Sequence, residues 1–391
     1  MTRVSLARPL QETLLPAPPL LDPAGARVIL GGAPAADGLA QSIVPSAGAL
    51  FGPRGACLSG ADGPLFVCDT GHHRLLVWRR APSEACEADL IFGQPDFASE
   101  GRNARGAVSG ATLNVPTGIA CENGVVAVAD AWNHRVLLWH DGLQHSHQPP
   151  DVVLGQIDRA AGLANRGRRA PRADTLNWCY GVALHQGRLF IADTGNRRVL
   201  VFDQLPERDG AAADLVLGEK DFTTRDDNAS GPAGPAGMRW PHGMAFVDGA
   251  FLVADAGDNR VMVWRKLPTE NGAPCDFVLG QRDLVSVDHN QASYLPTSTT
   301  LSMPYGLALL QQRLVVADTA NSRLLGFEKL SANAAATRLC GQTSFGDKGD
   351  NRWGFARSDS LCWPYAVSAC GSTLVIADSG NNRVLLWEMA P

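Results

Sequence analysis

Runs of four or five apolar residues ending in aspartate recur along the chain, each followed by a short polar stretch and a second apolar run. The unit reads LFVCDTGHHRLLVW (65–78), VAVADAWNHRVLLW (126–139), LFIADTGNRRVLVF (189–202), FLVADAGDNRVMVW (251–264), LVVADTANSRLLGF (314–327) and LVIADSGNNRVLLW (374–387). Its aspartates, Asp69, Asp130, Asp193, Asp255, Asp318 and Asp378, are separated by 61, 63, 62, 63 and 60 residues. The runs are short and rich in β-branched residues, which predicts strands rather than helices. Gly and Asn between them predict a tight turn, because both tolerate positive φ. Six copies in register mark a repeat architecture.

Two further segments keep the same spacing. Upstream lies P-x-G or a relic of it, in PRGAC (53–57), PTGIA (116–120), CYGVA (179–183), PHGMA (241–245), PYGLA (304–308) and PYAVS (364–368). These predict innermost strands, where blades converge and small residues fit near an axis. Downstream lies a fourth strand: DLIFGQ (89–94), DVVLGQ (151–156), DLVLGE (214–219), DFVLGQ (276–281) and RLCGQ (338–342). Five copies follow five blades, and the remaining one stands at the front in RVILGG (27–32). The pattern therefore predicts an all-β, six-bladed β-propeller of four-stranded blades, with strand 27–32 closing the ring as the outer strand of blade six. Closure of this kind removes an exposed sheet edge. The expected organisation is an N-terminal arm (1–26) and one propeller (27–391). Its blades are 53–94, 116–156, 179–219, 241–281, 304–342 and, with 27–32, 364–391. The Pro- and Leu-rich arm reads equally as a free segment or one packed on the ring.

The motif D-[TAS]-x-N-x-R-[VL] after an apolar strand, with P-x-G-[VIL]-A upstream, resembles the NHL repeat across nearly all of residues 27–391. The L-G-Q-x-D-F extension resembles a long-repeat form common in bacterial NHL proteins. The resemblance implies the six-bladed fold. It leaves function open, since NHL-like and related propellers include RNA binders, protein-interaction scaffolds, sensor domains, and lyases or lactonases with a metal on the axis. Related bacterial proteins accompany metalloenzyme gene clusters, which implies an accessory role in metalloenzyme assembly as one option.

Composition narrows the partners. A net charge of −5 and a pI near 6.0 give no general attraction for nucleic acid. The nine cysteines contain no C-x-x-C pair, several occupy strand positions, and no run of 18 apolar residues occurs. A reducing, cytoplasmic setting without a membrane span is expected, with no cofactor.

The Asp–Arg pairs occur in every blade, so they read as structural: a reaction needs one constellation in one place. Function is sought where the symmetry fails. The variable residue of P-x-G runs Arg54, Thr117, Tyr180, His242, Tyr305, Tyr365, and two residues earlier stand Trp178, Trp240, Met303 and Trp363. Three of the four tyrosines fall on one repeat position. Together these ten residues predict an aromatic mouth at the axis, suited to a peptide or small molecule. The preferred reading is a non-enzymatic scaffold engaging a protein or peptide. The alternative is a lyase or lactonase at the mouth, with His242 as acid/base, Tyr180, Tyr305 or Tyr365 as proton donor and Arg54 holding an anion. A second alternative is nucleic-acid binding through the basic loop 159–172, with Arg159, Arg166, Arg168, Arg169 and Arg172. His72, His73 and His134, in neighbouring turns, are the candidate surface metal ligands.

Overall fold

The computed structural model describes residues 15–32 and 43–391. They form six four-stranded antiparallel sheets arranged as the blades of one ring. Blade three is representative: Cys179–His185 lies innermost, followed by Arg188–Asp193, Arg198–Phe202 and the outer strand Leu215–Leu217. In blade six the outer strand is Val28–Gly31, which pairs antiparallel with Arg383–Glu388 in the register Val28 to Leu386. The ring is thus closed by the strand that the sequence pattern placed there.

Every hydrophobic cluster is shared by two neighbouring blades. Phe66 and Val77 of blade one pack with Val128 and Trp139 of blade two, and the other five interfaces repeat this arrangement. Each strand pair has both faces buried, so the apolar runs are continuous rather than alternating. The glycine of P-x-G is required by close approach. A Cβ on Gly181 would stand 2.1 Å from the His242 carbonyl oxygen of the next inner strand.

The turn departs from expectation in one respect. Positive φ falls on the residue just before the arginine (His73, His134, Arg197, Asn259, Ser322 and Asn382), not on the turn glycine. That glycine instead makes room: a Cβ on Gly195 would lie 2.5 Å from the Asn177 carbonyl oxygen.

The twelve repeated Asp and Arg side chains are fully buried. In blade two, Asp130 Oδ1 accepts the Asn114 N–H at 2.7 Å, while Oδ2 accepts from Asn133 Nδ2 and Arg135 Nε, each at 2.7 Å. The Arg135 fork then donates to the carbonyls of Arg159, Ser109 and Thr112, which belong to the long loops on either side. A planar, five-donor group can staple two loops in this way, and an ammonium cannot.

Two kinds of clasp join neighbouring blades. A turn hydroxyl donates to the carbonyl of the next blade's inner-strand proline, as Thr70 does to Pro116, Thr194 to Pro241, Thr319 to Pro364 and Ser379 to Pro53. The residue before the arginine accepts the N–H preceding that strand: His73 from Val115, His134 from Trp178, Asn259 from Met303, Ser322 from Trp363 and Asn382 from Gly52. Both clasps occur at joints five–six, six–one and one–two, and a single one at each of the other three. Ala131 and Ala256 lack the hydroxyl, and Arg197 has no acceptor.

Of the N-terminal arm, residues 15–26 lie within the described structure and 1–14 outside it. Leu20 and Leu21 are buried; the Leu20 N–H donates to the Leu339 carbonyl in the outer strand of blade five, and the Leu339 N–H donates to the Pro18 carbonyl. The Trp387 indole donates to the Asp22 carbonyl at 2.8 Å. This segment therefore packs across the outside of blades five and six. No helix among the described residues is long and apolar enough to cross a membrane.

Candidate functional site

The turns after the second strands and the long inter-blade loops meet on one face, where they surround the start of the inner strands. There a cavity of about 810 Å³ opens, lined by Arg54, Trp178, Tyr180, Trp240, His242, Tyr305, Trp363 and Tyr365 among others. Eight of the ten residues predicted for the mouth converge. Thr117 and Met303 do not line the cavity. Thr117 is fully buried and its hydroxyl donates to the Tyr180 carbonyl at 2.9 Å, and Met303 is half-buried and served only by its backbone clasp.

The lining has two levels. Arg54, Tyr180, His242, Tyr305 and Tyr365 also line a second space of about 280 Å³ running down the axis between the inner strands. They are at once the floor of the bowl and the lid of the channel. The rings are in contact: Tyr305 stacks on Tyr365 at 4.3 Å between centroids, His242 lies 4.4 Å from Tyr305, and the Arg54 guanidinium sits 4.8 Å above Tyr365. His242 Nδ1 lies 2.9 Å from the Trp240 carbonyl, so this nitrogen carries the proton and Nε2 is left as acceptor. Burial pushes the His242 imidazole down to about 4, with the Trp240 carbonyl opposing and Arg54 reinforcing. Burial also lifts the Tyr305 phenol to about 12 and the Tyr365 phenol above the usual range. All three groups are therefore neutral at pH 7.

Above the floor stands a rim of exposed indoles, with Trp178 48% and Trp363 40% exposed. Trp132 stacks on Trp178 at 6.5 Å and lies under the Arg102 guanidinium at 4.9 Å. Trp132 was missed in the sequence although a signal existed: it stands where the other five turns carry Gly71, Gly195, Gly257, Ala320 and Gly380. Among the described residues no Asp or Glu lines the bowl, whereas Arg54 and Arg197 do. Arg197 is paired with Asp227 at 2.6 Å.

The remaining candidates lie elsewhere. The surface metal site at His72, His73 and His134 does not form. His72 is fully buried between Asp69 Oδ2 and the Ile43 carbonyl, each at 2.7 Å, and His73 and His134 are inter-blade clasps. Among the described residues no group of three His, Cys, Asp or Glu side chains is placed to hold a metal. The basic loop is partly spent on its own folding. Arg166 pairs with Asp174 at 2.6 Å, Arg172 lies 3.5 Å from the same carboxylate, and Arg159 donates to the Asp151 carbonyl. Arg168 and Arg169 are left exposed without such partners.

No family model matches the chain. The human NHL repeat-containing protein 2 is 23% identical over 347 residues, covering 83% of this chain but 45% of that protein, so the chain spans less than half its relative's length. That match goes with six blades that each carry the buried Asp–Arg pair, four of them with the intervening asparagine (Asn133, Asn196, Asn321 and Asn381). The chain is a six-bladed β-propeller whose repeat is similar to the NHL repeat. Among solved structures, this propeller resembles hydrazine synthase from Kuenenia stuttgartiensis (TM-score 0.49, 12% identity, 87% of this chain and 96% of that one). It also resembles virginiamycin B lyase from Staphylococcus aureus (TM-score 0.43, 11% identity, 86% and 95%).

Proposed function

We infer that this propeller is a binding scaffold whose aromatic bowl receives a segment of a partner protein, with Arg54 taking an acidic group of that segment. The observation that carries the reading is the bowl itself: an open cavity rimmed by tryptophans, with a guanidinium at its floor and no carboxylate in its lining among the described residues. Indoles offer large, rigid, apolar area at low entropic cost, which suits a protein interface. Leu163, Trp353 and Phe355, at 66%, 76% and 73% exposure on the long loops, add apolar surface outside the bowl.

The titration of the floor favours binding over acid–base chemistry. A general acid or base works best with a pKa near the working pH, and burial moves His242 down and Tyr305 and Tyr365 up, away from it. The spent arginines of loop 159–172 likewise weigh against nucleic acid.

The test is direct. Proteins captured on the immobilised chain are identified, purified and titrated against wild type, Arg54→Gln and Trp178→Ala/Trp363→Ala. Each variant is expected to weaken binding at least about tenfold, or 1.4 kcal/mol. Equal affinity for all three chains would refute the reading.

A further inference from the structure

One amide position of the repeat carries a carboxylate. Gln94, Gln156, Gln281 and Gln342 follow the fourth-strand glycine, and each buried amide nitrogen donates to two or three backbone carbonyls. For Gln156 these are Asn133, His134 and Leu163; for Gln342 they are Asn321, Ser322 and Gly349. In blade three the residue is Glu219, 1% exposed, and neither of its carboxylate oxygens has a hydrogen-bond partner.

The backbone around Glu219 keeps the repeat geometry. A Cβ on Gly218 would stand 2.7 Å from the Arg197 carbonyl oxygen, as one on Gly155 would stand 2.8 Å from that of His134. The loop beyond is held alike, Asn228 N–H bonding the Met238 carbonyl as Asn165 bonds that of Leu176. The register therefore carries the Glu219 carboxylate to the carbonyls of Asn196, Arg197 and Asp226. On that register blade three offers only acceptor oxygen where four other blades place a bridging N–H₂. The nearby Arg198 cannot supply the missing positive charge, since its nitrogens donate to Asp193 and to the carbonyls of Phe222, Arg172 and Thr175. Asp221 and Asp226 make the surroundings more negative, and the nearby Thr224 hydroxyl and the Arg198 charge offset the burial only in part.

We propose that this pocket binds a hard metal cation, ligated by the Glu219 carboxylate and the carbonyl oxygens of Asn196, Arg197 and Asp226. A carboxylate with a cation does what the glutamine amide does elsewhere: it draws the carbonyls inward, the pair being neutral with a monovalent ion and singly positive with a divalent one. Calcium takes this donor set of carboxylate and backbone carbonyl oxygens, and alkali cations share its oxygen preference. A proton is the rival occupant, because burial lifts the carboxyl to about 7, but one proton can bridge to only one carbonyl.

The test compares wild type with Glu219→Gln, which installs the residue that four blades already carry. Thermal unfolding of chelator-treated chain is followed at pH 8 and fixed ionic strength, with Ca²⁺, Na⁺ or K⁺ exchanged for a bulky organic cation. At least one ion should raise the wild-type midpoint by about 2 °C or more and leave Glu219→Gln unmoved. Calorimetric titration of wild type with that ion should saturate at about one site per chain, whatever the behaviour of the variant. An equal shift in both chains, or no saturable binding, overturns the proposal. So does a wild-type midpoint that rises only on acidification from pH 8 to 6, which would assign the pocket to a proton.

Discussion

Single residues that break the repeat govern its response to pH. Asn133, Asn196, Asn321 and Asn381 each donate to the adjacent buried aspartate, whereas blade four has Asp258 at that position. Burial, with the neighbouring Asp255 carboxylate, lifts Asp258 to about 6. The folded chain holds this proton more tightly than the unfolded one. The contribution is complete below the ordinary carboxylate range and is lost as pH rises through about 6. Asp258→Asn should therefore stabilise the chain at pH 8 by about 1 kcal/mol and matter little at pH 5, as read by urea unfolding at both values. His134 has the opposite sign. Its Nδ1 accepts the Trp178 N–H, and burial lowers it to about 4, so its contribution is present above its ordinary value and lost as pH falls toward 4. His134→Asn supplies the acceptor that Asn259 and Asn382 already provide, and should move the acid-unfolding midpoint to lower pH.

At the scale of strands and turns, the repeated module is an all-or-nothing device. Removing Arg135 leaves the buried Asp130 carboxylate without its cation and frees loop carbonyls on both sides. Arg135→Ala should cost about 3–5 kcal/mol in urea unfolding, and Arg135→Lys should recover only part of it. These elements were legible in the sequence because six copies carry the same information. The bowl was legible only where a large side chain marks it. Tyr180, His242, Tyr305 and Tyr365 announce themselves by position. Thr117 occupies the same position but is too short to reach the cavity and spends its hydroxyl on the backbone. Trp132 and Glu219 escaped notice because each differs from the other copies inside a segment that reads as ordinary repeat. Their meaning depends on what the neighbouring blade places opposite them, which one chain's linear pattern does not contain.

At the scale of the whole molecule, the closing strand fastens the first described segment to the last blade. A chain starting after residue 32 loses the partner of Arg383–Glu388 and the cover that Leu20 and Leu21 give blades five and six. It should unfold at markedly lower temperature and self-associate through the bared edge, as size-exclusion chromatography would reveal. A full-length-like elution and midpoint would contradict this. The clasps between blades have a mechanical consequence as well. The three doubly clasped joints flank blades six and one, where the ring closes by strand pairing and apolar packing, and the three singly clasped joints span blades two to five. The propeller is therefore an unevenly fastened hoop, clasped most heavily around its closure, with Thr117 adding one more bond to Tyr180 at joint two–three. Tyr180 and His242 stand on either side of the singly clasped joint three–four, so a guest pressing into the bowl should part it there while the closure stays shut.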